Sequence, residues 1–92
     1  MPLTVKMCSA DTFLIDAARG TERRAAWIRS AALTAARAGM VFPGERGDGW
    51  DASSPVSVLV MATDEEANLI NAATGDVPRS IWMRAAALAA AA

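Results

Sequence analysis

An internal repeat constrains this chain more than any other feature of its sequence. When the sequence is shifted by 55 positions, residues 3–37 align with the second half without a gap. Alanine matches alone would reflect only two alanine-rich helices, but other residue types match as well. The matched pairs are Val5 with Val60, Leu14 and Ile15 with Leu69 and Ile70, Gly20 with Gly75, Arg24 with Arg79, Trp27 with Trp82, Arg29 with Arg84, and Leu33 with Leu88. We interpret the chain as two tandem copies of one small unit.

Each copy begins with a stretch that has the pattern of a β-strand. Residues 3–7 alternate apolar and polar side chains, which is the period of a strand with one buried face. Residues 56–61 are richer in β-branched side chains and are apolar on both faces beyond Ser57. Ser57, Leu59 and Met61 would be the outward residues of this second strand, although two apolar faces leave its parity open.

A helix is expected directly after each strand. In the second copy, Thr63 and Glu66 have the spacing of a capping box. In the first copy, either Ser9 or Asp11 can cap the helix. The order of elements in one copy is therefore strand, then helix.

A second helix is expected after a tight turn in each copy. Gly20 and Gly75 would end the first helices, because a residue in the left-handed conformation is favoured there. Thr21 and Asp76 are the expected N-caps of the second helices, with Pro78 tolerated in the first turn. Apolar side chains then follow at helical spacing, and we expect Trp27 and Trp82 to be core residues.

The two copies are joined by a stretch with the composition of a flexible linker. Residues 39–55 are rich in Gly, Ser, Pro and Asp, so we divide the chain into a first copy (1–38), a linker (39–55) and a second copy (56–92). Trp50 is expected to pack back on the body, the alternative being a contact with a partner. One strand and two helices cannot bury their own faces, so the two strands are expected to pair antiparallel.

Composition excludes several classes of function. The chain has no histidine and one cysteine, Cys8, which argues against zinc sites, histidine catalysis and disulfides. It has no apolar run long enough to span a bilayer and no signal-peptide pattern, so we expect a cytoplasmic protein. The Gly-rich part of the linker lacks the Lys-Ser/Thr ending of a phosphate loop. We expect neither an enzyme nor a cofactor.

Two short stretches resemble a known family. Residues 21–24 followed by Trp27-Ile28-Arg29, and residues 77–84 in the second copy, resemble the ribbon-helix-helix family of the Arc and MetJ type. The resemblance covers both copies and leaves out the linker. It implies a mainly α fold with a two-stranded antiparallel ribbon, in which one chain forms a tandem ribbon-helix-helix pseudo-dimer. Chains with two units resemble the tandem forms among plasmid-transfer accessory proteins.

The resemblance also implies a function, which is binding of double-stranded DNA by a ribbon in the major groove. The base-reading residues would be Thr4 and Lys6, with Pro2 beside them, and Ser57 and Leu59 on the second strand. A transcriptional repressor, an antitoxin that represses its own operon, or a plasmid-transfer accessory protein would fit this reading.

Phosphate contacts are implied at the start of the second helices. The residues would be Thr21, Arg23, Arg24 and Arg79, whereas Asp76 is unfavourable beside a phosphate. Arg23 and Arg24 could instead form a solvated helix face. Arg29 and its counterpart in the second copy are expected to pair with nearby acids such as Asp16 or Glu66.

The second copy fits DNA less well than the first. Leu59 and Met61 cannot make bidentate base contacts, and an outward apolar face is more typical of a protein interface. Residues 1–46 have seven basic and four acidic side chains, a net charge of +3, while residues 47–92 have two and six, a net charge of −4. Three alternatives therefore stay open: weak binding of one half-site, self-association that brings two basic copies together, or a protein-interaction module that has lost DNA binding.

Overall fold

The computed structural model describes residues 1–47 and 50–92, which form two strands and four helices in the order β-α-α-β-α-α. The predicted linker includes Asp48 and Gly49, which lie outside the described residues. The elements are β1 (Pro2–Cys8), α1 (Ser9–Ala18), α2 (Arg24–Arg37), β2 (Pro55–Met61), α3 (Asp64–Thr74) and α4 (Arg79–Ala91). No helix among the described residues is long and apolar enough to cross a membrane.

The two strands pair antiparallel along their whole length and form a ribbon. The predicted antiparallel pairing is therefore confirmed. Thr4 lies opposite Leu59, which is also its counterpart under the shift of 55 positions. The register is symmetrical about this pair, with Lys6 opposite Ser57 on one side and Pro2 opposite Met61 on the other. The ribbon thus has a local two-fold centre between Thr4 and Leu59.

The core lies between the inner face of the ribbon and the helices. Side chains alternate along both strands, so that every second residue points inward. The inward strand residues are joined in one buried cluster by apolar residues from all four helices. The largest fully buried side chains are Trp82, Leu3, Met7, Ile15, Ile28, Ile70, Met83, Val5, Val60 and Cys8.

The helices pack across the two halves of the chain. Helix α2 of the first half contacts β2 and α3 of the second, while α4 contacts β1 and α1 of the first. Helices α2 and α4 also contact each other. Neither half could bury its apolar faces alone, because each strand is covered mainly by a helix from the other half.

The predicted fold class, a mainly α tandem ribbon-helix-helix pseudo-dimer, is wrong. The protein is a mixed α/β structure with about 53% helix, and only the repeated order of strand, helix and helix agrees in part with the prediction. The sheet is a substantial part of the structure, because each strand has seven residues and lines the core along one face. The expectation of a mainly α fold came from the resemblance to the ribbon-helix-helix family.

The turns between paired helices are where the sequence predicted them, but the helix starts are not. Gly20 and Gly75 adopt φ values of 59° and 57°, which favour glycine, so their turn role is confirmed. Helices α2 and α4 begin after Arg23 and Pro78, and not after the predicted caps Thr21 and Asp76. The turns use backbone hydrogen bonds, from Glu22 N–H to Arg19 O and from Val77 N–H to Thr74 O, before each helix starts.

The first helix of each half is capped by a side chain three residues into the helix. The predicted Thr63–Glu66 capping box of α3 is confirmed, with Glu66 N–H donating to Thr63 Oγ1 and Thr63 N–H donating to Glu66. For α1 the N-cap is Cys8, and neither Ser9 nor Asp11 occupies that position. Asp11 instead accepts a hydrogen bond from Cys8 N–H at 3.0 Å.

Candidate nucleic-acid interface

The outer face of the ribbon is not covered by any other element of the described chain. Its side chains are exposed, and they include all four predicted base-reading residues. Leu59 and Met61 remain 56% and 58% exposed although they are large apolar residues. Lys6 is the single charged residue of the two strands. The outward residues are Pro2, Thr4 and Lys6 on β1 and Ser57, Leu59 and Met61 on β2.

The start of helix α2 lies beside the apolar end of this face. A shallow groove of about 200 Å³ is lined there by Arg23 and Arg29 of α2 together with Leu59 and Met61 of β2. Arg29 Nη1 donates to the carbonyl of Met61 at 3.5 Å, which holds this guanidinium near the end of the strand. The side chain of Arg23 is exposed and has no hydrogen-bond or ion-pair partner in residues 1–47 and 50–92. Two arginines of the basic half therefore flank the apolar strand of the acidic half.

The start of helix α4 lies at the opposite end of the ribbon. Ser80 Oγ accepts a hydrogen bond from the backbone N–H of Lys6 at 2.8 Å, so the first turn of α4 abuts the edge of β1. Arg79 Nη1 donates to Asn71 Oδ1 at 3.2 Å and is half-buried. Each end of the ribbon thus has a helix start and at least one basic side chain beside it.

The starts of α2 and α4 differ from the starts of α1 and α3 in how they are capped. Helices α1 and α3 each have an acidic side chain in the first turn, whereas α2 and α4 have none. In the part of the chain that the structure describes, the N-cap residues Arg23 and Pro78 make no side-chain hydrogen bond to the first turn of α2 or α4. Their first-turn N–H groups and positive dipole ends therefore remain available to an anion.

One of the predicted phosphate contacts, Arg24, has another role in the structure. Arg24 donates to both carboxylate oxygens of Asp16, at 3.1 and 2.7 Å, and Arg19 binds the same carboxylate at 2.8 Å. The hydrogen bonds from Arg24 and Arg19 lower the pKa of Asp16 to about 2. Because the Asp16 carboxylate offsets the charge of Arg24, Arg23 is the better candidate for a phosphate contact. Thr21 is exposed in the turn before the helix.

A buried ion pair joins the two halves, and its pairing was not predicted. Arg84 donates to both oxygens of Asp11, at 2.6 and 2.9 Å, and the two side chains are only 4% and 3% exposed. Burial acts to raise the pKa of Asp11, but the hydrogen bonds from Arg84 and Cys8 outweigh it, so the pKa is lowered. We expected Asp16 or Glu66 as a partner for this class of arginine.

The linker closes over this ion pair. Arg84 Nη1 also donates to the carbonyl of Arg46, and both guanidinium groups lie over the ring of Trp50, at 5.2 and 4.6 Å. Phe42 packs edge-on against Trp82 with 5.4 Å between ring centroids. Trp50 therefore contacts the body of the protein, as expected from its isolated position in a polar stretch.

No family model matches the chain, and comparisons with curated proteins and with solved structures gave no match either. The resemblance to the ribbon-helix-helix family therefore depends on the residues of this chain alone.

Proposed function

We propose that this protein binds double-stranded DNA by placing the outer face of its ribbon in the major groove, as a transcriptional repressor or a plasmid-transfer accessory protein. The observation that carries the proposal is the uncovered ribbon with basic side chains at both ends, Lys6 at one and Arg23 with Arg29 at the other. A two-stranded ribbon fits the width of the major groove. A cytoplasmic location belongs to the same proposal.

The cross-packing of the halves supports the proposal despite the acidic second copy. Because α2 packs on β2, the arginines of the first copy lie beside the apolar residues of the second. The basic groups of one half therefore serve both ends of the ribbon. The uncapped starts of α2 and α4 would add backbone N–H groups for phosphate oxygens on either side of the groove.

The test is binding to a random duplex library, followed by titration of an enriched duplex at low and moderate salt. Two or three phosphate contacts predict that affinity falls by about 10- to 40-fold between roughly 50 and 200 mM salt. Absence of an enriched sequence and of binding at the lower salt concentration would refute the proposal.

A matched pair of variants locates the interface. Arg23→Gln removes one positive charge beside the ribbon and should weaken binding to all duplexes, with a salt slope smaller by about one. Arg37→Gln removes the same charge at the other end of the same helix, roughly 20 Å away at 1.5 Å per residue. Equal effects of the two substitutions would show that only net charge matters and that the ribbon is not the contact surface.

A second candidate function is a protein-interaction module that uses the apolar strand face. The observation that favours it is the exposure of Leu59 and Met61 beside the groove at the start of α2. Leu59→Ser, which adds no charge to the ribbon, would then abolish capture of a partner, whereas it would leave phosphate-dependent DNA affinity at low salt largely intact. Arg23→Glu should have the opposite pattern, because reversal of this charge weakens phosphate contacts and leaves the apolar strand face unchanged.

A further inference from the structure

The two-fold centre of the ribbon pairs positions that carry different chemistry. Under the shift of 55 positions, Lys6 corresponds to Met61 and Pro2 corresponds to Ser57, and each pair occupies symmetrical places in the register. A ribbon made from two identical strands would present the same side chain at both places. Here one end of the outer face presents a lysine and a serine, and the other presents a methionine and a proline.

The residue at the centre also breaks the symmetry. Thr4 lies opposite Leu59, so one strand presents a hydroxyl and the other an apolar side chain that is 56% exposed. Lysine and serine can form hydrogen bonds with base edges, and lysine pairs best with the O6 and N7 atoms of guanine. Leucine and methionine can only make apolar contacts, of which the thymine methyl group is the one available in the major groove.

The residues around the two ends of the ribbon also differ in charge. Arg23 and Arg29 lie beside Met61, where the ribbon itself has no charge. At the other end Lys6 supplies the ribbon charge, and Ser80 of α4 binds its backbone. Backbone-phosphate attraction would therefore hold the apolar end in the groove, although that end makes no polar contact with a base.

We infer that the ribbon reads a non-palindromic DNA sequence, with a guanine contacted by Lys6 in one half-site, a thymine contacted by Met61 in the other, and a thymine beside the centre contacted by Leu59. This inference rests on the proposed DNA binding and goes beyond it. Two-fold symmetric proteins read palindromes because both halves present the same side chains. A ribbon with two-fold geometry and unequal side chains keeps the spacing of a palindrome but not its sequence.

The test is selection from a random duplex library with the wild-type protein and two symmetrising variants. The wild type should enrich a motif with a guanine on one side of its centre and thymine on the other. Met61→Lys should enrich a motif with guanine on both sides. Lys6→Met should lose the guanine, and the affinity for the wild-type motif should fall by roughly tenfold or more. Both substituted side chains are exposed on the ribbon, so each variant should have a circular dichroism spectrum like that of the wild type.

The outcomes separate the inference from the proposed function. A palindromic wild-type motif, or a guanine preference that survives in Lys6→Met, would overturn the inference while DNA binding stands. Absence of any binding by the folded wild-type protein would overturn both. Enrichment of guanine on both sides by Met61→Lys, together with an asymmetric wild-type motif, would establish that these two positions are equivalent readers.

Discussion

Asp11 and Glu66 occupy equivalent places in the two halves but have different surroundings. Each is the third residue of its helix and accepts a hydrogen bond from the N-cap backbone. The counterpart of Arg84 is Arg29, which contacts the Met61 carbonyl and approaches Glu66 without forming an ion pair within 4.0 Å. The linker covers only the first of these pairs, and the second is left near the ribbon. The ion pair of Arg84 with Asp11 is therefore structural, whereas Arg29 lies near the proposed interface.

Loss of Arg84 should be costly, because it leaves the Asp11 carboxylate buried without a cation. Arg84→Met should lower the free energy of unfolding by about 3–5 kcal/mol, the usual effect of breaking a buried pair. Urea denaturation measures this change. Arg29→Met is the matched control at the equivalent position, and a change below about 1 kcal/mol is expected there. Equal losses in the two variants would contradict the difference between the two sites.

Acid should destabilise the protein through Asp11. Its pKa is lowered from 3.8 in the folded state, so its contribution to stability is present above pH 3.8 and is lost as the pH falls through the folded value. The difference in unfolding free energy between the wild type and Asp11→Asn should therefore shrink between about pH 6 and pH 2. The difference for Asp16→Asn should shrink in the same direction, because the pKa of Asp16 is also lowered, to about 2. A constant Asp11→Asn difference across this range would contradict the assignment.

At the scale of elements, the linker distinguishes two otherwise equivalent helices. Trp82 of α4 is 1% exposed because Phe42 covers it, whereas Trp27 of α2 is half-buried and lines an open groove between α2 and α4. Hydrogen bonds also connect the linker to the body, including one from Ser9 N–H to Ser54 O at 3.1 Å. The linker is therefore part of the core on one side of the molecule.

Truncation of Phe42 should expose this side of the core. Phe42→Ala should lower the free energy of unfolding by about 1–2 kcal/mol, since the half-buried ring loses both its burial and its edge-on contact with Trp82. The tryptophan fluorescence of the folded protein should shift to the red. Val41→Ala, at a neighbour that is 89% exposed, is the control and should change neither quantity. No effect of Phe42→Ala would contradict the stabilising role of the contact between Phe42 and Trp82.

Local patterns in the sequence predicted elements well and contacts poorly. The strand pattern of residues 3–7 and the turns at Gly20 and Gly75 are determined by residues close together in the sequence. The structure confirms both predictions. The sequence did not determine whether Leu59 points outward or inward, because both faces of its strand are apolar. The burial of Arg84 depends on Asp11, 73 positions away, and on a linker without periodicity. The approach of Arg23 to Met61 depends on cross-packing, which no local pattern contains.

At the scale of the whole molecule, the cross-packing makes the two halves depend on each other. Every strand and helix contacts an element of the other half, and the chain has a radius of gyration of 12.0 Å. A compact domain of this length is expected to have a radius of about 12 Å. Acidic residues are concentrated in the second half of the sequence, but the two halves form one body, so basic and acidic groups lie close together in the structure. Lys6 is the single charged residue of the ribbon.

Pairing of the strands within one chain should make stability independent of protein concentration. The linker holds the second half at an effective concentration on the order of millimolar, which favours intrachain pairing over exchange of halves between chains. The urea midpoint should be the same at about 1 and 100 µM, because a monomeric transition has no mass-action term. Small-angle X-ray scattering should give a radius of gyration near the 12.0 Å Cα value. A midpoint that rises with concentration, together with a larger radius, would indicate swapped dimers, and the reading of a single asymmetric DNA site would then require two ribbons.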